Sequence, residues 1–154
     1  MMTLLLLLGV MADVQAPAAT APLVLFMCPH GAAKSVMASA YFQKMAKERG
    51  LNIRVDAAGT EPDPDLAKGV VAHLEKNGYA LPIAKPRAAT ATDVRAADII
   101  ISIGCDLKAL APPPGKVRDW TVPDFSADFD RAEQSIREQV TRLIDELVVA
   151  QRRK

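Results

Sequence analysis

The sequence predicts an α/β domain of three layers, a doubly wound sheet of four parallel strands with helices on both faces. Two observations carry that expectation. Short continuous apolar runs alternate with longer segments of helical period, the order that βαβ units and a parallel sheet require. In addition, Cys28, Gly59-Thr60, Gly104-Cys105 and the stretch after Trp120 all follow predicted strand ends. In a doubly wound sheet of the flavodoxin-like kind, ligands sit outside the carboxyl ends of the strands at the switch point. These residues are therefore expected along one edge of the molecule.

Each element has its own warrant. Leu23 to Met27 is an unbroken apolar run, as suits a strand buried on both faces. From about Ala33 to Arg49 the spacing of Val36, Ala40 and Met45 is helical, and Gly50 supplies a C-terminal cap. Ile53 to Ala57 alternates as a second strand. Pro64 to Lys76 places Leu66, Val70, Val71 and Leu74 on one helical face and stops at Asn77-Gly78. Ile99 to Ile103 is the clearest strand, and Pro112-Pro113-Pro114-Gly115 forces a turn before a short strand over Val117 to Trp120. Asp128 to about Gln151 closes the chain as an amphipathic helix, with Ile136, Val140, Leu143, Ile144 and Leu147 turned inward.

The 154 residues suit one domain over residues 23–154, preceded by residues 1–22, an apolar segment with an Ala/Pro-rich leader. The leader offers two readings. The run from Leu4 through Met11 is too short to span a bilayer but fits a signal-peptide core, with Val10-Met11-Ala12 as a small-residue cleavage pattern. Met11-Ala12-Asp13 also resembles an ordinary translation start, and no Lys or Arg precedes the run. A cytoplasmic protein is expected ahead of an exported one. The hydrophobic fraction of 50% indicates a globular body, and a net charge of +1 gives no basic footprint for nucleic acid. Two cysteines outside any C-x-x-C pair and two histidines argue against a disulfide framework and a metal site. No cofactor is expected, and no G-x-x-x-x-G-K stretch supports a nucleotide loop.

Cys28-Pro29-His30-Gly31-Ala32-Ala33-Lys34-Ser35 is the segment that carries chemistry. A buried strand delivers a cysteine to its end, small residues turn the chain, and a helix begins at once. The first N–H groups of a helix lack intrahelical partners and, with the helix dipole, favour an anion. The same field lowers a cysteine toward the reactive thiolate. Ser35 can bond the sulfur or an oxyanion, and Lys34 adds a full positive charge.

The segment resembles the signature of the low-molecular-weight protein tyrosine phosphatases and of the thioredoxin-coupled arsenate reductases that share their fold. That pattern is C-x-x-x-x-x-R-S followed by M-A; this chain has Cys28, Lys34-Ser35 and Met37-Ala38. The resemblance continues through Ala58-Gly59-Thr60 and Trp120-Thr121-Val122-Pro123-Asp124, covering nearly everything from Leu23 onward. His30 is closer to the reductase form of the loop. Three positions depart: Lys34 replaces the signature arginine, Gly31 the loop asparagine, and Phe125 a proline. Gly31 tolerates the positive φ that asparagine also accepts.

The resemblance implies that Cys28 attacks phosphorus to form a phosphocysteine, which water hydrolyses. It implies that the backbone of His30, Gly31, Ala32, Ala33, Lys34 and Ser35 holds the oxyanion, and that Asp124 protonates the leaving group, with Asp119 as the fallback acid. Arginine grips two oxygens with a planar fork, whereas lysine presents one point charge. Losing one charge-assisted hydrogen bond costs about 1.5–3 kcal/mol, or roughly ten- to a hundredfold in rate. The expected function is thus a weakened phosphomonoesterase. An alternative is an arsenate reductase using Cys28 and Cys105 as redox partners, with thioredoxin or glutathione as reductant. Ser102-Ile103-Gly104-Cys105 resembles a stretch of those enzymes, although their further cysteine has no counterpart in Asp106 to Pro114. A third reading is a non-catalytic protein that binds phosphate or arsenate. A monomer acting on a phosphorylated substrate or an inorganic oxyanion is expected. Trp120 is expected to pack a core or line the substrate slot, His73 to be a plain surface residue, and Lys85-Pro86-Arg87 to be a solvated loop.

Overall fold

The structure is a computed structural model, and residues 20–153 are described. The expectations for the N-terminal segment up to residue 19 lie outside the described residues. Four parallel strands form one sheet: β1 (Leu23–Cys28), β2 (Arg54–Gly59), β3 (Ile99–Ser102) and β4 (Val117–Asp119), in the order β2-β1-β3-β4. The helices are α1 (Lys34–Glu48), α2 (Lys68–Lys76), α3 (Ala91–Ala96) and α4 (Phe129–Arg152). This is the flavodoxin-like, three-layer arrangement that the alternating pattern predicts.

Strand alternation explains the two cores. Val24, Phe26 and Cys28 of β1 face a cluster built with α1, α2 and α4, including Val36, Phe42, Leu74, Ile136 and Ile144. Leu25 and Met27 face the opposite cluster with Val94, Ala97 and Leu107. Covered on both faces, β1 is buried from Val24 to Cys28. The chain leaves β1 toward β2 and later returns to β3 on the other side, so the switch point lies beside the end of β1.

The structure corrects four expectations. α2 begins at Lys68, not Pro64. Residues 61–67 instead donate backbone N–H groups to the nucleophile loop: Glu61 to Pro29 O at 2.8 Å, Asp63 to His30 O at 3.0 Å and Ala67 to Ala32 O at 3.0 Å. Those bonds replace the ones a helix would have made. α3, which the periodicity did not reveal, starts at a capping box in which Thr90 and Asp93 satisfy each other's backbone N–H.

Lys85-Pro86-Arg87 is not simply a solvated loop. Arg87 reaches Asp56 at 2.8 Å and Asp93 at 3.0 Å, while its carbonyl accepts from Gly59 N at 2.9 Å. This segment therefore buttresses the end of β2. His73 is not a plain surface residue either: its Nε2 lies 2.9 Å from the Tyr41 hydroxyl, which donates to Glu133 at 2.6 Å. With the Glu133–Arg137 ion pair, this network joins α1, α2 and α4.

Candidate active site

Cys28 ends the central strand, with only 4% of its surface exposed. Its Sγ–H donates to Ser35 Oγ at 3.1 Å. Ser35 is fully buried in the first turn of α1. No side chain caps that turn: the cap position is Ala33, and the first helical bond runs from Met37 N to Ala33 O. The leading N–H groups of a 15-residue helix thus stand beside the sulfur.

The loop between strand and helix owes its shape to two glycines in mutual contact. Gly31 has φ +59°, and its N–H donates back to Cys28 O at 3.2 Å. A Cβ on Gly31 would lie 2.8 Å from Gly59 N, and one on Gly59 would lie 2.6 Å from Gly31 N and 2.8 Å from Pro29 O. Gly59 sits opposite Cys28 in the β1–β2 register. The end of β2 therefore presses directly on the nucleophile loop. His30, expected to contribute its backbone, turns its Nδ1 to Asp63 at 3.2 Å on the exposed outer side.

Lys34 and Asp124, 90 residues apart, meet. The Lys34 ammonium lies 2.6 Å from Asp124 Oδ1 and donates to Val122 O at 3.1 Å. Its side chain is 20% exposed and that of Asp124 is 75% exposed. The bond from Lys34, reinforced by its charge, holds the Asp124 carboxyl below its ordinary value. A depressed carboxyl keeps its pair at neutral pH and loses it only on strong acidification. Asp119, at the end of β4, is also exposed. Trp120 donates its N–H to Ser102 O at 2.8 Å, and its ring meets Phe26 edge-on at 5.8 Å, so it packs the core beneath this segment.

Cys105 follows β3, the other neighbour of β1, and both cysteines are free thiols. Burial, followed by the neighbouring Cys28, pushes the Cys105 thiol up to about 12. The raised value means that the thiol stays protonated where a free cysteine ionises. At pH near 9, alkylation of Cys105 in the folded chain is expected to run at least about a hundredfold slower than in the unfolded chain. Peptide mass mapping over time measures this, and equal rates would contradict the burial described.

The sequence-predicted residues thus separate into two groups. Cys28, Gly31, Ala32, Ala33, Lys34, Ser35, Asp124 and Cys105 gather at the carboxyl edge of the sheet, whereas His73 is engaged by Tyr41 between helices. The anchors in residues 61–67, the Gly59 contact and the Val122 carbonyl were not singled out in the sequence. Of these, the neighbouring glycine at the end of β2 left a readable signal.

Comparison with known proteins bears on the fold and the family. Residues 23–149 match the model of the family described as low molecular weight phosphotyrosine protein phosphatase. The chain is 24% identical over 124 residues to a Halobacterium salinarum protein named "Putative arsenate reductase", covering 79% of this chain and 87% of that one. YfkJ from Bacillus subtilis shares the fold with a TM-score of 0.76 at 22% identity, over 83% of this chain and 95% of its own. The Corynebacterium glutamicum thioredoxin-dependent arsenate reductase superposes with a TM-score of 0.71 at 27% identity, over 84% of this chain and 63% of that chain. The chain belongs to the low molecular weight phosphotyrosine protein phosphatase family.

Proposed function

We propose that the protein is a phosphomonoesterase that works through a phosphocysteine at Cys28 and is slowed by Lys34. The observation that carries this reading is Cys28 at the end of β1, bonded to Ser35 at 3.1 Å and facing the uncapped first turn of α1. In this reading the thiolate attacks phosphorus as the phosphorus–oxygen bond breaks, and the electron pair leaves with the alcohol oxygen. The backbone from His30 to Ser35 receives the equatorial oxygens, and the Ser35 hydroxyl steadies the sulfur when water releases phosphate. Lys34 supplies charge without a fork, so replacing it with arginine is expected to raise aryl phosphate hydrolysis about ten- to a hundredfold. An unchanged rate would sink the idea that the lysine limits turnover.

Arsenate reduction is the second reading, and Cys105 beside the neighbouring strand end favours it. In that reaction the Cys28 thiolate first forms a sulfur–arsenic bond as an arsenic–oxygen bond breaks and that oxygen leaves, protonated, as water. Cys105 then attacks the Cys28 sulfur, leaving a disulfide as arsenic(V) departs as arsenite, and an external dithiol regenerates both thiols. The protonated state of Cys105 makes its attack slow. Arsenite production that vanishes in Cys105→Ser, with aryl phosphate hydrolysis unaffected, would favour this reading over the first.

A further inference from the structure

The signature cation of this chain binds a carboxylate of its own. Lys34 opens α1, and its ammonium takes two partners from the segment after β4, the Asp124 carboxylate at 2.6 Å and the Val122 carbonyl at 3.1 Å. Val122 itself is buried at 8% exposure and packs into the main core. An exposed ion pair alone contributes little. Here the second bond, to a buried residue's carbonyl, fixes the ammonium in place.

A proton donor to a leaving group must still hold its proton at the working pH. Carboxyls that do so are buried in apolar surroundings or crowded by another anion. Asp124 has the opposite setting, exposed to water and touching a cation. Asp119 is exposed, and Asp63 is directed at His30. The Lys34 contact favours the charged form of Asp124, the opposite of what a proton donor needs.

We infer that Lys34, besides lending its charge to the site, tethers residues 122–124 and takes Asp124 out of proton donation. The site then selects phosphoryl donors whose leaving group departs without a proton, such as electron-poor aryl phosphates and acyl phosphates, over alkyl phosphomonoesters. This inference rests on the phosphomonoesterase reading above. The Cys28 sulfur–phosphorus bond forms as the phosphorus–oxygen bond breaks. The aryloxide or carboxylate leaves with the electron pair, and water supplies any later proton.

The test compares kcat/KM, which reports transition-state stabilisation in the first transfer, for para-nitrophenyl, phenyl and benzyl phosphate near neutral pH. The value is expected to fall by about 10²–10⁴ from the first to the last, the range a missing general acid forfeits. Equal values across the series would overturn the proposed selectivity. A second measurement follows the Asp124 carboxyl by NMR titration in the wild type and in Lys34→Gln. An upward move of its midpoint in the variant supports the tether, and an unmoved midpoint overturns it. A protein that processes none of the three esters through Cys28 overturns the phosphomonoesterase reading and the substrate class with it; the titration still decides the tether.

Discussion

Replacing Cys28 with serine is expected to reduce aryl phosphate hydrolysis to background while leaving the fold intact. A serine hydroxyl at this position is a far weaker nucleophile, because the helix field acts on an acidic thiol more than on an alcohol. The near-isosteric exchange fits a site where Cys28 is 4% exposed and its partner Ser35 is fully buried. Oxyanion binding should persist, since the backbone from His30 to Ser35 is unchanged. Inorganic phosphate titrated into the variant by calorimetry measures that directly. Retained hydrolysis would remove Cys28 from the chemistry.

Gly59→Ala is the second large effect expected. The added methyl would stand 2.6 Å from Gly31 N, 2.8 Å from Pro29 O and 2.9 Å from His30 C. All three are backbone atoms of the nucleophile loop and cannot rotate away as a side chain could. Overpacking of this kind costs about 1–3 kcal/mol, and the rigid neighbours place it at the upper end of that range. The same displacement moves the loop relative to Cys28, and a misplacement of about 1 Å can cost on the order of a hundredfold in rate. Denaturant unfolding and aryl phosphate turnover measure the two losses. A variant as stable and as active as the wild type would show that the glycine contact does not shape the loop.

The Gly59 contact also shows where sequence reasoning stops. β1, α1, β3 and α4 were legible because each is a long or strongly periodic apolar pattern that tertiary packing then obeys. Cys28 was legible because strand, loop and helix follow one another locally. α3 spans only six residues, too few for periodicity, although Thr90 and Asp93 carry its capping signal. The start of α2 was misplaced because residues 61–67 bond to the nucleophile loop about 35 residues earlier in the chain, a tertiary demand that overrides local helical preference.

Long-range polar partners were the least legible. Nothing near Lys34 in the chain announces Asp124, and nothing near Arg87 announces Asp56. From residue type alone, Lys34 reads as an oxyanion ligand. The fold adds that its ammonium also has a carboxylate and a carbonyl within reach, which turns a question about binding strength into one about proton supply. Likewise His73 looked like one more surface residue among lysines and glutamates until Tyr41 and Glu133 arrived from other helices.

In the proposed chemistry Cys28, at the mouth of α1, forms a covalent bond to a tetrahedral oxyanion. Acid-quenching the wild-type protein during turnover of an electron-poor aryl phosphate, followed by peptide mass spectrometry, would trap that bond. A peptide heavier by one phosphoryl group is expected, with the addition on the Cys28 sulfur and absent from Cys28→Ser. Turnover with no adduct on Cys28 under any quench, or an adduct on another residue, would contradict it.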